Sequence, residues 1–271
     1  MTVCVAALCK DDDSKTAIIC AADTELSRRF THSLIHMKRE YLAGKWNALF
    51  AADDLSHAEA LLEEAKVELS KVDVGKFAQV LSALRIAREA VLVRLAGDAS
   101  LPPGLSLGDF YQEGRKILSD LAYQDVWSRL AKFKLACDLL IFGFDDAGSA
   151  HIAVVGDEAP TSYDRIGFHA IGSGWVNAIG ILSAHDLSPV DSWRETAYAV
   201  LAAKKAGERA VGVGALTLLW KATDADQRIQ VDHEKLGDLV DQYGLIPAAK
   251  AKADLKKELA KVVLVKKSGG A

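Results

Sequence analysis

Thr2-Val3-Cys4-Val5-Ala6-Ala7-Leu8-Cys9 reads as a short apolar strand, Lys10-Asp11-Asp12-Asp13-Ser14-Lys15 as a polar turn, and Thr16-Ala17-Ile18-Ile19-Cys20-Ala21-Ala22-Asp23 as a second strand. A β-hairpin therefore starts at residue 2. Once Met1 is cut off, Thr2 carries a free α-amine as well as its hydroxyl. One residue then supplies both an attacking oxygen and a proton acceptor, and an amine with a pKa of roughly 8 suits a base at neutral pH. The plain structural alternative is a solvated strand start.

Working outward, the second strand runs out of apolar residues at Asp23, and a polar loop follows. Lys38 then heads a further strand pair, Lys38–Ala43 and Lys45–Ala52, about Gly44. If these strands are neighbours, Asp23 and Lys38 form an ion pair near Thr2, and the ammonium lowers the cost of a threonine alkoxide. The alternative is two solvated charges.

Beyond this lie long helical patterns. From Asp53 to about Lys71, Leu55, Leu62 and Leu69 share a face with Ala58, Leu61 and Ala65. A second pattern from Phe77 to about Ala96 stops at Gly97-Asp98, Leu101-Pro102-Pro103-Gly104 is a break, and helix resumes from Leu107 to about Lys134. The block from about 74 to 130 is either a lengthened core layer or a docking surface. Ala136–Phe144 and Ala150–Val155 read as a hairpin, and Ile166–Ile171 as a strand entering Gly172-Ser173-Gly174 and a helix from Trp175 to about Ala184. That turn has neither the Lys-Ser/Thr pair of a phosphate loop nor a Gly-x-Gly-x-x-Gly, so nucleotide binding is the weaker reading. A helix from Pro189 to about Lys205 and a strand from Ala210 to Trp220 follow. Helices flanking hairpin-rich sheets fit an α+β fold, a four-layer α/β/β/α sandwich with an enlarged helical layer. Residues 1–247 read as one domain, and residues 248–271 as a peripheral helix and loose tail.

Composition narrows the function classes. Half of the residues are apolar (50%), 26% are charged and the net charge is −4, which suggests no nucleic-acid partner. No apolar run approaches the roughly 20 residues of a membrane span, and the start lacks a signal-peptide pattern, so a cytoplasmic location is expected. Cys4, Cys9, Cys20 and Cys137 form no Cys-x-x-Cys pair, and the 7 histidines are scattered singly, so neither a metal nor another cofactor is expected.

The order and spacing of Thr2, Ala21-Ala22-Asp23, Lys38, Leu49-Phe50-Ala51-Ala52 before a helix, and Ala170-Ile171-Gly172-Ser173-Gly174 resemble the proteasome β-subunit family and its HslV-type and Anbu-type bacterial relatives. The resemblance runs from residue 2 to about 60 and again from about 137 to 220. It implies that Thr2 is the nucleophile, Asp23 its buried aspartate and Lys38 the activating lysine. Ser173 falls beside the terminal amine and Glu208 where an aspartate usually orients both. Ala52 falls where a glycine N–H helps to bind the oxyanion, and alanine keeps that donor. Leu26, Phe50 and Asp54 would line the pocket for the side chain before the scissile bond. Two departures concern the acid network: Glu25 stands where many members have arginine, and Val211 where many have serine.

The resemblance implies a threonine endopeptidase, an N-terminal nucleophile hydrolase, that acts on peptides or unfolded protein inside a ring or helical stack of its own copies. The chain has no ATPase motif, so any unfoldase that serves it is a separate chain. Two alternatives stand beside this reading: a non-catalytic scaffold subunit, and an amidohydrolase acting on small amides.

Overall fold

The computed structural model describes residues 2–23, 39–210, 217–226 and 229–265, and the backbone alone of 25–28 and 31–34. In chain order the elements are β1 (Cys4–Lys10), β2 (Thr16–Asp23), β3 (Glu25–Arg28), β4 (Thr31–Leu34), β5 (Arg39–Ala43) and β6 (Trp46–Ala52), then α1 (Leu55–Leu69), α2 (Phe77–Ser100), α3 (Leu107–Ile117) and α4 (Asp120–Lys132). Next come β7 (Cys137–Phe144), β8 (Ala150–Val155), β9 (Thr161–Ser162), β10 (Phe168–Ile171), α5 (Trp175–Ala184) and α6 (Trp193–Gly207). The chain continues with β11 (Thr217–Thr223), β12 (Ile229–Val231), α7 (His233–Tyr243), a 3-10 turn at Ala249–Ala251, α8 (Lys252–Leu259) and β13 (Leu264–Val265).

The fold is mixed α+β with two antiparallel sheets. One is six-stranded, in the order β10-β1-β2-β11-β12-β13, and the other five-stranded, in the order β5-β6-β7-β8-β9. β3 and β4 pair separately as a hairpin in the stretch expected to be a loop. The near-continuous apolar runs of β1 and β2 reflect burial on both faces. Cys4, Ala6, Leu8, Ile18 and Cys20 face Leu49, Leu140 and Phe142 of the other sheet. On the opposite face Val3, Val5, Ala7, Ile19 and Ala21 meet α5 and α6, where Ala178, Leu182, Ala197, Val200 and Leu201 are buried. A third core joins Phe50, Leu139, Ile141 and Val155 to α1 and α2 through Ala58, Leu62, Val80, Leu84 and Val91.

Several boundaries differ from expectation for local reasons. α2 runs through Gly97 to Ser100, because Gly97 is buried and the helix ends only where the Leu101 N–H bonds back to the Gly97 carbonyl. The expected helix from Leu107 to Lys134 is two helices: Ser119 caps the second by accepting the Ala122 N–H. α6 starts at Trp193 rather than Pro189, because Ser192 accepts the Glu195 N–H as its cap. The strand expected from Ala210 begins, among the described residues, at Thr217. The tail from 248 is a correction to the peripheral reading: Leu255, Leu259 and Val262 are buried in the core beside α6 and α7. β13 then joins the six-stranded sheet along β12. Three apolar residues spaced four and three apart suffice to anchor a lysine-rich helix. Among the described residues, no helix is long and apolar enough to cross a membrane.

Candidate active site

The two sheets bring their ends together around Thr2. Residue Thr2 precedes β1, whose first paired residue, Cys4, lies opposite Ile171 on one side and Ala22 on the other. The residues that follow those partners, Gly172-Ser173 and Asp23, therefore sit at the same end of the sheet. In the second sheet Ala51 pairs with Asp138 and Ala52 with Cys137, and Leu139 pairs with Val155. Register thus gathers the end of β6, the start of β7 and the end of β8 at one edge.

The glycines of the Gly172-Ser173-Gly174 turn make this convergence possible. Gly172 has φ +89, and a Cβ there would stand 2.2 Å from the Thr2 carbonyl oxygen and 3.2 Å from Ala51 Cβ. A Cβ on Gly174 would stand 2.6 Å from the Gly207 carbonyl oxygen at the end of α6. Only glycine fits either position without moving backbone. The turn closes with the Trp175 N–H donating to the Gly172 carbonyl at 3.0 Å. Ser173 Oγ then donates to the Thr2 carbonyl at 3.4 Å.

A cleft of about 350 Å³ opens beside Thr2, walled by Ala52, Asp53, Cys137, Asp138, Ser173 and Trp175. Thr2 itself is 6% exposed and Asp23 is fully buried. Asp23 pairs with Thr217 of β11. Ala52 lines the cleft. Because the Asp53 N–H donates to the Ala136 carbonyl on the β7 side, strand alternation turns the Ala52 N–H away from β7.

The remaining expected residues lie elsewhere. The Glu208 carboxylate is held by Lys204 Nζ at 2.5 Å, and that lysine side chain is fully buried. Glu208 directly follows Gly207, so it stays close to the serine turn in space. Phe50 is packed in the core under α1 and α2 rather than on the cleft. Asp54 caps α1, accepting from the Ser56 N–H at 2.9 Å and the Ser56 hydroxyl at 2.6 Å. These Ser56 bonds hold its carboxyl below the usual range. Asp54 is thus spent on the helix, and its neighbour Asp53 reaches the cleft instead. Lys38, Val211 and Met1, with the side chains of Glu25 and Leu26, lie outside the described residues.

Cys137, Asp138 and Asp157 line the cleft although the sequence reading gave them no role at the site. Burial pushes the Cys137 thiol up to about 12, with Asp138 and Asp54 adding to the shift, so the sulfur is protonated and a poor nucleophile. The Asp138 carboxyl is also raised, by burial first and then by Asp157, Asp53 and Glu158. Asp157 accepts the Leu135 N–H at 3.2 Å and pairs with Lys134 at 3.3 Å. The available signal was an aspartate at position 138 inside an otherwise apolar strand. Among the described residues, no group of three His, Cys, Asp or Glu side chains could hold a metal ion. No protein-family model matches the chain, and no curated protein matches it either.

Proposed function

We propose that the chain is a threonine peptidase of the proteasome-like N-terminal nucleophile class, folded as a four-layer α/β/β/α sandwich. The observation that carries the reading is the seating of Thr2: it forms a wall of an open cleft, at the sheet end shared with buried Asp23 and with Ser173. Helices on the outer faces of two sheets that share an inner core support the layer order. In the proposed reaction the α-amine of mature Thr2, directly or through a water, takes the proton of its own hydroxyl. The alkoxide attacks a peptide carbonyl, Lys38 held by Asp23 stabilises the charge and the Ala52 N–H steadies the oxyanion; the C–N bond then breaks as the ammonium of Thr2 returns its proton to the leaving amine, and water, deprotonated by the freed amine, hydrolyses the ester to a carboxylic acid and the original hydroxyl. Self-association into a ring or stack, with a separate unfoldase chain, belongs to the same proposal.

Intact mass establishes whether Met1 is removed, and an epoxyketone probe tests the nucleophile because only a residue with both a hydroxyl and a free amine forms the ring adduct. Thr2→Ala should lose both the adduct and the hydrolysis of a fluorogenic peptide panel, Thr2→Ser should keep part of each, and Lys38→Ala should lose turnover. Undiminished turnover by Thr2→Ala, with contaminating proteases excluded, sinks the mechanism. The scaffold reading draws on one observation, the commitment of Glu208 to Lys204. Retention of Met1 would favour it, since an amide nitrogen is not a base.

A further inference from the structure

The cleft beside Thr2 continues into a second cavity of about 430 Å³, and the two share Asp138, Asp157, Gly172 and Trp175 as walls. Together they form one groove that starts at the candidate nucleophile and passes over the start of β7 and the end of β8 toward Tyr163 and His169. Among the described residues its charge is one-sided. Asp53, Asp138, Asp157 and Glu158 come from three different segments, and among the described residues no lysine or arginine lines either cavity. His169 does not offset them: burial pushes its imidazole down to about 4, so it is neutral at physiological pH. The four carboxylates are no metal site, as no three of the described acids and ligating side chains are arranged for one.

Within this groove Asp138 differs from its neighbours. Asp157 is already occupied by the Leu135 N–H and Lys134. No hydrogen bond or ion pair from the described residues reaches the Asp138 carboxylate, although it is only partly exposed and shares the inner-face alternation of Leu140 and Phe142. Its place is set by Gly156, where a Cβ would stand 2.1 Å from Asp138 Oδ1. A half-buried carboxylate without a partner is costly, and a cation brought by a ligand removes that cost.

We propose that the groove beside Thr2 takes substrates with a lysine or arginine close to the scissile bond, the cationic side chain set against Asp138. The cleavage part of this statement rests on Thr2 as the nucleophile; the cation selectivity does not. A charge-assisted hydrogen bond to such a carboxylate corresponds to roughly 10- to 100-fold in affinity.

The test uses the full chain carrying Thr2→Ala, titrated with labelled peptides that differ only in one residue beside the central bond: lysine, arginine, norleucine or glutamate. Lysine and arginine peptides should bind roughly 10- to 100-fold more tightly than norleucine, and glutamate most weakly. Adding the isosteric Asp138→Asn should bring the lysine and norleucine peptides to within about threefold of each other. Equal affinities in the Thr2→Ala protein, or an unchanged ratio after Asp138→Asn, overturn the proposal without the need for any turnover. Parallel turnover by the protein with a free Thr2 separates the two ideas. Cleavage with no preference at the varied position leaves the nucleophile and removes the cation subsite. Selective binding with no cleavage keeps the subsite and removes the nucleophile.

Discussion

Exchanging glycine for alanine at positions 172 and 180 should have opposite effects, although the two lie close in sequence. At Gly172 an alanine must hold φ +89 with its Cβ 2.2 Å from the Thr2 carbonyl oxygen, a backbone atom that moves only if the terminal strand moves. Left-handed backbone costs an L-residue about 1–2 kcal/mol, and relieving an overpacked contact costs about 1–3 kcal/mol more. The sum, about 2–5 kcal/mol, lowers the melting temperature of a chain of this size by roughly 4–20 °C at about 2–4 °C per kcal/mol. Gly180 lies inside α5, and a Cβ there meets nothing among the described residues within 4 Å. Alanine at that site should stabilise by about 0.5–1 kcal/mol through helix propensity alone. Thermal melts of the two variants and the parent, followed by circular dichroism, decide the matter. If Gly172→Ala melts at or above the parent, the turn does not hold Thr2 by steric necessity; if Gly180→Ala melts below it, the open space at position 180 is refuted.

Asp54→Ala should cost about 1 kcal/mol through loss of the α1 cap and leave relative peptide preferences unchanged, since its carboxylate bonds Ser56; a changed preference in a peptide panel would return Asp54 to the pocket. His151 lies between Asp164 at 2.7 Å and Asp145 at 3.3 Å. Burial alone would lower its pKa, but the bonds and charges of Asp164 and then Asp145 outweigh it and hold it above the ordinary value. This contribution is full below the unfolded value of about 6.5 and is lost as pH rises through the higher folded value, so Asp164→Asn should destabilise more at pH 6 than at pH 9. A pH-independent difference in urea titrations rejects the clasp. Truncation after Lys250 removes buried Leu255, Leu259 and Val262. At about 1.5–3 kcal/mol per side chain the loss rivals a whole domain's stability, so the truncated chain should fail to give a cooperative melt, whereas an unchanged melt would make the tail dispensable.

The first hairpin was legible because two apolar runs flank a turn of charged residues, the paired strands β7–β8 for the same reason, and β5–β6 because Gly44 marks its turn. The β3–β4 hairpin was not, since Glu25–Arg28 and Thr31–Leu34 show no apolar alternation to distinguish strand from loop. The split between α3 and α4 was hidden because Leu118 and Ser119 interrupt the charge and apolar pattern too briefly to break it. Thr2, Asp23 and Ser173 could be picked out as strand-end residues around marked turns. The acidic wall could not, because Asp53, Asp138 and Asp157 are distant in sequence and meet only through the pairing of Ala52 with Cys137 and of Leu139 with Val155. Register is a property of whole strands, and a single residue does not announce it.

The position of β1 between β2 and β10 also sets a clock. Its β10 partner strand ends at Ile171, so a ribosome must add roughly 170 residues, on the order of 10–30 s of synthesis, before that edge of β1 can be covered. Until then β1 can pair with β2 alone and its other edge stays open; afterwards Thr2 is 6% exposed. If a mature Thr2 is the working form, an aminopeptidase that trims Met1 on the nascent chain meets Thr2 before this edge closes over it. A chain that kept Met1 would then be folded yet chemically silent, told from an active one by the mass of one methionine.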